Sequence, residues 1–120
     1  MKILVTDDSK IARKMLIRTL DNFSDKVHDI LQATNGKECL EIYKKHNPNL
    51  VFLDLTMPVM DGFEALKELK KYDENVHVII VSADIQKGSL SKALEDGAKN
   101  FVKKPIDADK MKSILDKLGY

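Results

Sequence analysis

The sequence has little of what several protein classes require. It contains one cysteine, Cys39, which excludes an internal disulfide and the zinc sites that need paired thiols. The formal charge is only +1 at pH 7, so nothing favours binding to nucleic acid or to an anionic membrane. No apolar run approaches the roughly 20 residues of a membrane span. The first apolar stretch ends at Val5, too early for the core of a signal peptide. We therefore expect a soluble cytoplasmic protein.

Five short apolar segments are typical of buried strands, at 3–5, 29–34, 50–54, 76–82 and 101–102. A helical repeat of apolar residues follows each of them, as at Ala12, Met15, Leu16, Thr19 and Leu20, and again at Leu90, Ala93 and Leu94. Ser9 and Asp107 are candidate N-caps, and Gly97 is a candidate C-cap. Alternating strands and helices predict an α/β fold, a five-stranded parallel sheet with five helices on both faces. Right-handed crossovers favour the flavodoxin-like strand order 2-1-3-4-5. The 120 residues suit a single domain, 1–120.

Polar side chains follow four of these strands, where each strand ends. Asp7 and Asp8 follow the first strand, Asp54 ends the third, Ser82 ends the fourth and Lys104 follows the fifth. In the predicted topology these strand ends lie at one edge of the sheet. Three carboxylates, a hydroxyl and an ammonium are therefore expected to meet in one crevice.

Such a cluster needs positive charge, because two carboxylates about 4 Å apart repel by about 4 kcal/mol at an effective dielectric constant of 20. Oxygen ligands without histidine or cysteine suit Mg²⁺. A metal and a lysine can together hold a phosphoryl group, whose transfer depends mainly on positioning and charge neutralisation. Asp54 is the best candidate nucleophile, because it is central and flanked by the other groups.

The motifs resemble those of the receiver domains of two-component response regulators, nearly end to end and most closely the single-domain, CheY-like chemotaxis regulators. Four motifs at these spacings carry the resemblance: Asp7-Asp8; Asp54 with Met57-Pro58 and Met60-Asp61-Gly62; Ser82-Ala83; and Lys104-Pro105 after Gly97-Ala98. Gly62 is expected to supply a backbone angle that other residues resist.

The resemblance implies that Asp54 accepts a phosphoryl group from the phosphohistidine of a histidine kinase. It implies that Asp8, Asp54 and the backbone carbonyl of Thr56 bind Mg²⁺, with Asp7 reaching the metal directly or through water. Such a protein is not an enzyme in the usual sense, since it catalyses only its own phosphorylation and dephosphorylation. Thr56 and Asp84 are expected to tune the lifetime of the acyl phosphate, Asp84 by positioning or repelling the attacking water.

The same resemblance implies a conformational switch. Ser82 would hydrogen-bond the phosphoryl group and Lys104, rather than Lys103, would pair with it, while the aromatic ring of Phe101 would swing inward. The Lys104–Pro105 bond is often cis in the family. The surface read by partners would be the fourth helix, fifth strand and fifth helix, roughly 86–120. We expect a monomer whose partners are a histidine kinase, a downstream protein (a flagellar motor component or a phosphotransfer protein) and a phosphatase, with chemotaxis the favoured setting.

Several alternatives stay open. A flavodoxin-type FMN binder shares the fold, but its phosphate loop would need small neutral residues where this chain has Asp7, Asp8 and Ser9. A phosphatase with an aspartyl intermediate typically has a second Asp where this chain has Thr56. The chain could also be a phosphorelay intermediate, a receiver cut from a larger regulator, or a docking module that is not phosphorylated.

Overall fold

The computed structural model describes residues 1–55, 57–83 and 87–120. Five parallel strands form one sheet: β1 (Lys2–Thr6), β2 (Asp29–Ala33), β3 (Leu50–Asp54), β4 (Val78–Ser82) and β5 (Asn100–Lys103). The helices between and after them are α1 (Lys10–Leu20), α2 (Gly36–His46), α3 (Gly62–Tyr72), α4 (Lys87–Glu95) and α5 (Ala108–Lys117), with a 3-10 turn at Asp21–Phe23. The strand order is β2-β1-β3-β4-β5. The predicted fold class and strand order are confirmed.

Side chains that alternate along the strands build two cores, one on each face of the sheet. Leu4, Leu53 and Ile80 pack on the face covered by α2, α3 and α4. Val5, Phe52 and Val81 pack on the face covered by α1 and α5. β3 is buried at all five positions, because it lies in the middle of the sheet with helices on both sides.

The helix ends follow the predicted capping residues. The side chain of Ser9 accepts a hydrogen bond from the Ala12 N–H, and that of Asp107 accepts one from the Lys110 N–H. Beyond α4, Gly97 has a φ of 103°. Its N–H donates to the Leu94 carbonyl, and the Ala98 N–H donates to the Ala93 carbonyl, which is the Schellman arrangement.

Two residues of the predicted apolar helix faces are not in the core. Met15 is 53% exposed and Leu94 is 46% exposed. Each is adjacent in sequence to a better-buried residue, Leu16 or Ala93, and neighbours on a helix point about 100° apart. Met15 instead lines a cavity of about 240 Å³ that lies between α1 and the segment after Lys104. Among the described helices, none combines the length and apolar character needed to cross a membrane.

Candidate functional site

The ends of β1 and β3 bring three carboxylates together. Asp7 follows β1 and Asp54 ends β3, and both are buried, while Asp8 is exposed. Oxygen atoms of the three carboxylates lie within 4.8 Å of one another. Because β1 and β3 are neighbours and run parallel, their carboxyl ends open onto the same crevice.

Lys104 supplies a positive charge to this crevice. Its Nζ atom donates to Asp7 Oδ2 at 2.6 Å and lies 3.2 Å from Asp54 Oδ1. Its side chain is 26% exposed, whereas Lys103 is an exposed residue at the end of β5, so strand alternation directs Lys104 to the carboxylates. The Lys104–Pro105 peptide bond is cis, as the resemblance leads one to expect.

Burial and neighbouring charges shift the pKa values of Asp54 and Lys104. Burial raises the pKa of Asp54, the charge of Asp7 raises it further, and Lys104 opposes both effects without cancelling them. Burial alone would lower the pKa of Lys104, but the hydrogen bond from Lys104 to Asp7 and the charges of Asp54 and Asp7 outweigh it, and that pKa is raised. Among the described residues, Lys104 thus pairs with Asp7 and Asp54, while Asp8 adds a third negative charge to the same group of carboxylates.

This donor set fits a hard divalent cation. Its ligand atoms are carboxylate oxygens, two of the three carboxylates are held by buried residues, and the third is open to solvent, which leaves room for metal-bound water. Asp7, Asp8 and Asp54 could therefore hold Mg²⁺.

Two glycines position the loop that follows β3. The N–H of Gly62 donates to the Leu55 carbonyl, and the N–H of Gly36 donates to the Met60 carbonyl at 3.1 Å. A Cβ on Gly62 would overlap the Asp54 carbonyl oxygen and lie 2.7 Å from the Leu55 Cα. Gly62 does not have a positive φ, so the expectation that it supplies a special backbone angle is wrong. It is small so that α3 can begin against the backbone of Asp54.

The family model described as "Response regulator receiver domain" matches residues 3–116. The chain belongs to this family. The chemotaxis protein CheY of Bacillus subtilis is 39% identical over 97% of this chain and 95% of its own length. Sporulation initiation phosphotransferase F of the same organism is 37% identical over 97% of this chain and 91% of its own length. A chain of the CheX-CheY-BeF3-Mg²⁺ complex from Borrelia burgdorferi matches with a TM-score of 0.90 and 32% identity, over 100% of this chain and 90% of that one.

The chain is thus a CheY-like receiver domain, and receiver domains are signalling modules rather than classical enzymes. This assignment favours neither the flavin-binding nor the phosphatase alternative. Its relatives include chemotaxis proteins and a sporulation phosphotransferase.

The structure places the remaining predicted site residues as follows. Ser82 ends β4, is half-buried, and its carbonyl accepts the Lys104 N–H at 2.8 Å, so the Ser82 and Lys104 backbones are adjacent. Phe101 is buried in the core beneath α2, α3 and α4. Thr56 and Asp84 lie outside the described residues.

One residue near the site was missed by the sequence reasoning. Arg13 of α1 donates from Nη1 to the Asp7 carbonyl at 2.6 Å and from Nε to Gln32 Oε1 at 3.0 Å. No motif marks it, because its partners are a backbone carbonyl and a residue of another strand. Its position one helical turn after Ser9, the N-cap that follows Asp8, was the available signal.

Proposed function

We propose that this chain is a phosphorylation-activated response regulator in which Asp54 accepts a phosphoryl group from the phosphohistidine of a histidine kinase. The observation that carries the proposal is the position of the Lys104 ammonium, 3.2 Å from the Asp54 carboxylate and 2.6 Å from the Asp7 carboxylate, where Asp8 also lies close to both acids. A nucleophile, a fixed cation and a set of metal ligands thus share one crevice. Phosphoryl transfer requires these components and little else from a protein.

Asp8, Asp54 and the backbone carbonyl of Thr56 would hold Mg²⁺, and Asp7 would reach it directly or through water. When bound there, the metal would neutralise charge on the oxygens of the phosphoryl group. Asp54 must be ionised to react, and its raised pKa makes this depend on the positive charges gathered in the crevice.

The transfer forms one bond and breaks one. A carboxylate oxygen of Asp54 attacks phosphorus, and the P–N bond to the donor imidazole breaks. The electron pair of that bond leaves with the imidazole. Lys104 pairs with the transferring oxygens, and the hydroxyl of Ser82 hydrogen-bonds one of them.

The new phosphate would then shift the chain between two conformations. Moving from 1:99 to 99:1 requires about 5.5 kcal/mol of differential stabilisation. Bonds from the phosphate to Ser82 and Lys104 supply part of it, repacking around Phe101 transmits the change, and a partner bound to α4, β5 and α5 supplies the rest. Thr56 and Asp84 would set the lifetime of the phosphate.

Chemotaxis is the favoured setting for a cytoplasmic, monomeric regulator of this kind, because several chemotaxis proteins are similar over nearly their whole length. Expected partners are a histidine kinase, a flagellar motor component and a phosphatase. The similarity to sporulation initiation phosphotransferase F supports a second candidate, a phosphorelay intermediate. Onward transfer of the phosphoryl group to a histidine phosphotransfer domain would favour the relay.

Intact mass after incubation with acetyl phosphate and Mg²⁺ tests the proposal. We expect the mass of the unmodified chain to increase by one phosphoryl group. The mass of Asp54→Asn, and that of the unmodified chain in the presence of EDTA, should not increase. Asp25→Asn, which removes an exposed carboxylate elsewhere, should still be phosphorylated. An unchanged mass, under conditions that phosphorylate a known receiver domain, would overturn the proposal and favour the docking module.

A further inference from the structure

Asp7 and Asp8, the two carboxylates that follow β1, differ in their hydrogen bonding and exposure. Asp7 accepts from the Ser9 N–H at 2.9 Å and from Lys104 Nζ, and its own N–H donates to the Ala33 carbonyl at 3.1 Å. Asp8 is exposed, and its carboxylate has no hydrogen-bond or ion-pair partner among the described residues. The direction of the Asp8 side chain therefore depends on the backbone that carries it.

Arg13 holds the carbonyl side of that backbone. Strand β2 ends at Ala33, and within the described part of the chain no backbone N–H donates to the Asp7 carbonyl. A carbonyl without a donor is costly away from water, and the Arg13 guanidinium supplies the missing donor at 2.6 Å. The Asp7 carbonyl belongs to the peptide group that joins Asp7 to Asp8, so this bond sets the plane from which Asp8 extends.

The guanidinium is itself anchored. Its Nε atom donates to Gln32 on β2, and β2 pairs with β1, so the arginine joins α1 to both strands. A guanidinium can hold two acceptors at once in a fixed geometry, whereas a lysine ammonium on a flexible chain cannot reproduce that fork.

We infer that Arg13 is a positioning residue for the metal: through the Asp7 carbonyl it orients the peptide that carries Asp8, and so holds Asp8 close to Asp7 and Asp54. The inference rests on the proposed function, because it assumes that these carboxylates bind Mg²⁺. Groups that orient metal ligands commonly change metal affinity 10- to 100-fold when they are removed.

The change in Mg²⁺ affinity on replacing Arg13 distinguishes a positioning role from a purely electrostatic one. Arg13 is a cation near a cation site, so electrostatics alone predicts that Arg13→Gln binds Mg²⁺ more tightly. Loss of positioning predicts the opposite, about tenfold weaker binding. Lys14→Gln is the matched control, because it removes one charge from an exposed residue of the same helix. It should bind Mg²⁺ as tightly as the unmodified chain or slightly more tightly.

Isothermal titration calorimetry with Mg²⁺ gives the dissociation constants, and ¹⁵N NMR of the metal-free chain gives a second readout. The amide signals of Asp8 and Ser9 should shift or broaden in Arg13→Gln and stay in place in Lys14→Gln. Arg13→Gln binding Mg²⁺ as tightly as the unmodified chain would overturn the inference and leave the proposed function intact. An unmodified chain that binds no Mg²⁺ would overturn both.

Two milder variants keep the test decisive if Arg13→Gln does not fold. Gln32→Ala leaves the arginine in place and removes only its anchor, and Arg13→Lys keeps the charge but loses the fork. Each should weaken Mg²⁺ binding severalfold. Unchanged affinity in both variants would contradict the positioning role.

Discussion

Replacing Asp54 with asparagine should stabilise the metal-free chain, although it removes the proposed phosphoacceptor. At an effective dielectric constant of about 20, a unit charge within 4.8 Å repels by about 3.5 kcal/mol or more, whereas a counter-ion at 3.2 Å attracts by about 5 kcal/mol. Asp54 faces two carboxylates and one ammonium, so the balance is unfavourable by about 2 kcal/mol. Water weakens the repulsion from the exposed Asp8, whereas burial adds a cost of keeping Asp54 ionised, so we expect a net gain of about 1–2 kcal/mol in Asp54→Asn.

Urea unfolding and calorimetry in EDTA at pH 7 and low salt would measure this gain. For a chain of this length it corresponds to an increase in Tm of about 5 °C. Asp25→Asn, which removes an exposed carboxylate, should stay within about 0.5 kcal/mol of the unmodified chain. An Asp54→Asn variant that is no more stable than the unmodified chain would refute this view of the crevice.

The pH dependence follows from the sign of the pKa shift. The pKa of Asp54 is raised in the folded state above its usual 3.8, so protonation favours folding. The destabilising effect of the ionised carboxylate is present above the raised pKa and disappears as the pH falls through it. The advantage of Asp54→Asn should therefore be largest near neutral pH and narrow in acid. Mg²⁺ should reduce it as well, because the unmodified chain keeps all three carboxylate ligands.

Two further changes test the lysine and the glycine. Lys104→Ala should cost about 1–3 kcal/mol at neutral pH, because it leaves buried carboxylates without their cation, and should slow phosphorylation by acetyl phosphate at least about tenfold. Urea unfolding and the time course of intact mass would show both effects, and Lys103→Ala should show neither. Gly62→Ala should destabilise by about 1–3 kcal/mol through its overlap with the Asp54 backbone. A Cβ at Gly88 would meet no other atom within 4 Å, so Gly88→Ala should stabilise the protein by about 0.5–1 kcal/mol through the higher helix propensity of alanine. If both glycine variants changed the thermal stability alike, the role of crowding at Gly62 would be contradicted.

The fold could be predicted because the order of apolar strands and amphipathic helices along the sequence restricts the possible sheet topologies. A continuous apolar run such as Leu50–Leu53 is stable only between two layers, and alternation with helices then leaves few arrangements. The finer errors have a local cause. Met15 and Leu94 have the right spacing for a helix face, but the width of the buried stripe depends on how closely neighbouring elements approach, which spacing does not show.

The candidate site also contains residues that the sequence could place and residues that it could not. Asp7, Asp8, Asp54 and Lys104 could be placed together because each stands at a strand end, and parallel strands bring those ends to one edge. No motif marks Arg13 or Gly36, because each contacts the site region through a backbone carbonyl, of Asp7 or of Met60, and every residue carries one. Gly62 was noticed for the wrong reason, since crowding against Asp54 and not its backbone angle excludes a side chain there.

Backbone hydrogen bonds hold Leu55 and Met60, two residues of the loop between β3 and α3. Both the Gly36 to Met60 bond and the Gly62 to Leu55 bond run from an N–H to a carbonyl, whereas Val59 at the loop tip is 78% exposed. The Val59 side chain takes part in neither bond, so this exposed side chain of the loop and the contacts that hold the loop are separate features.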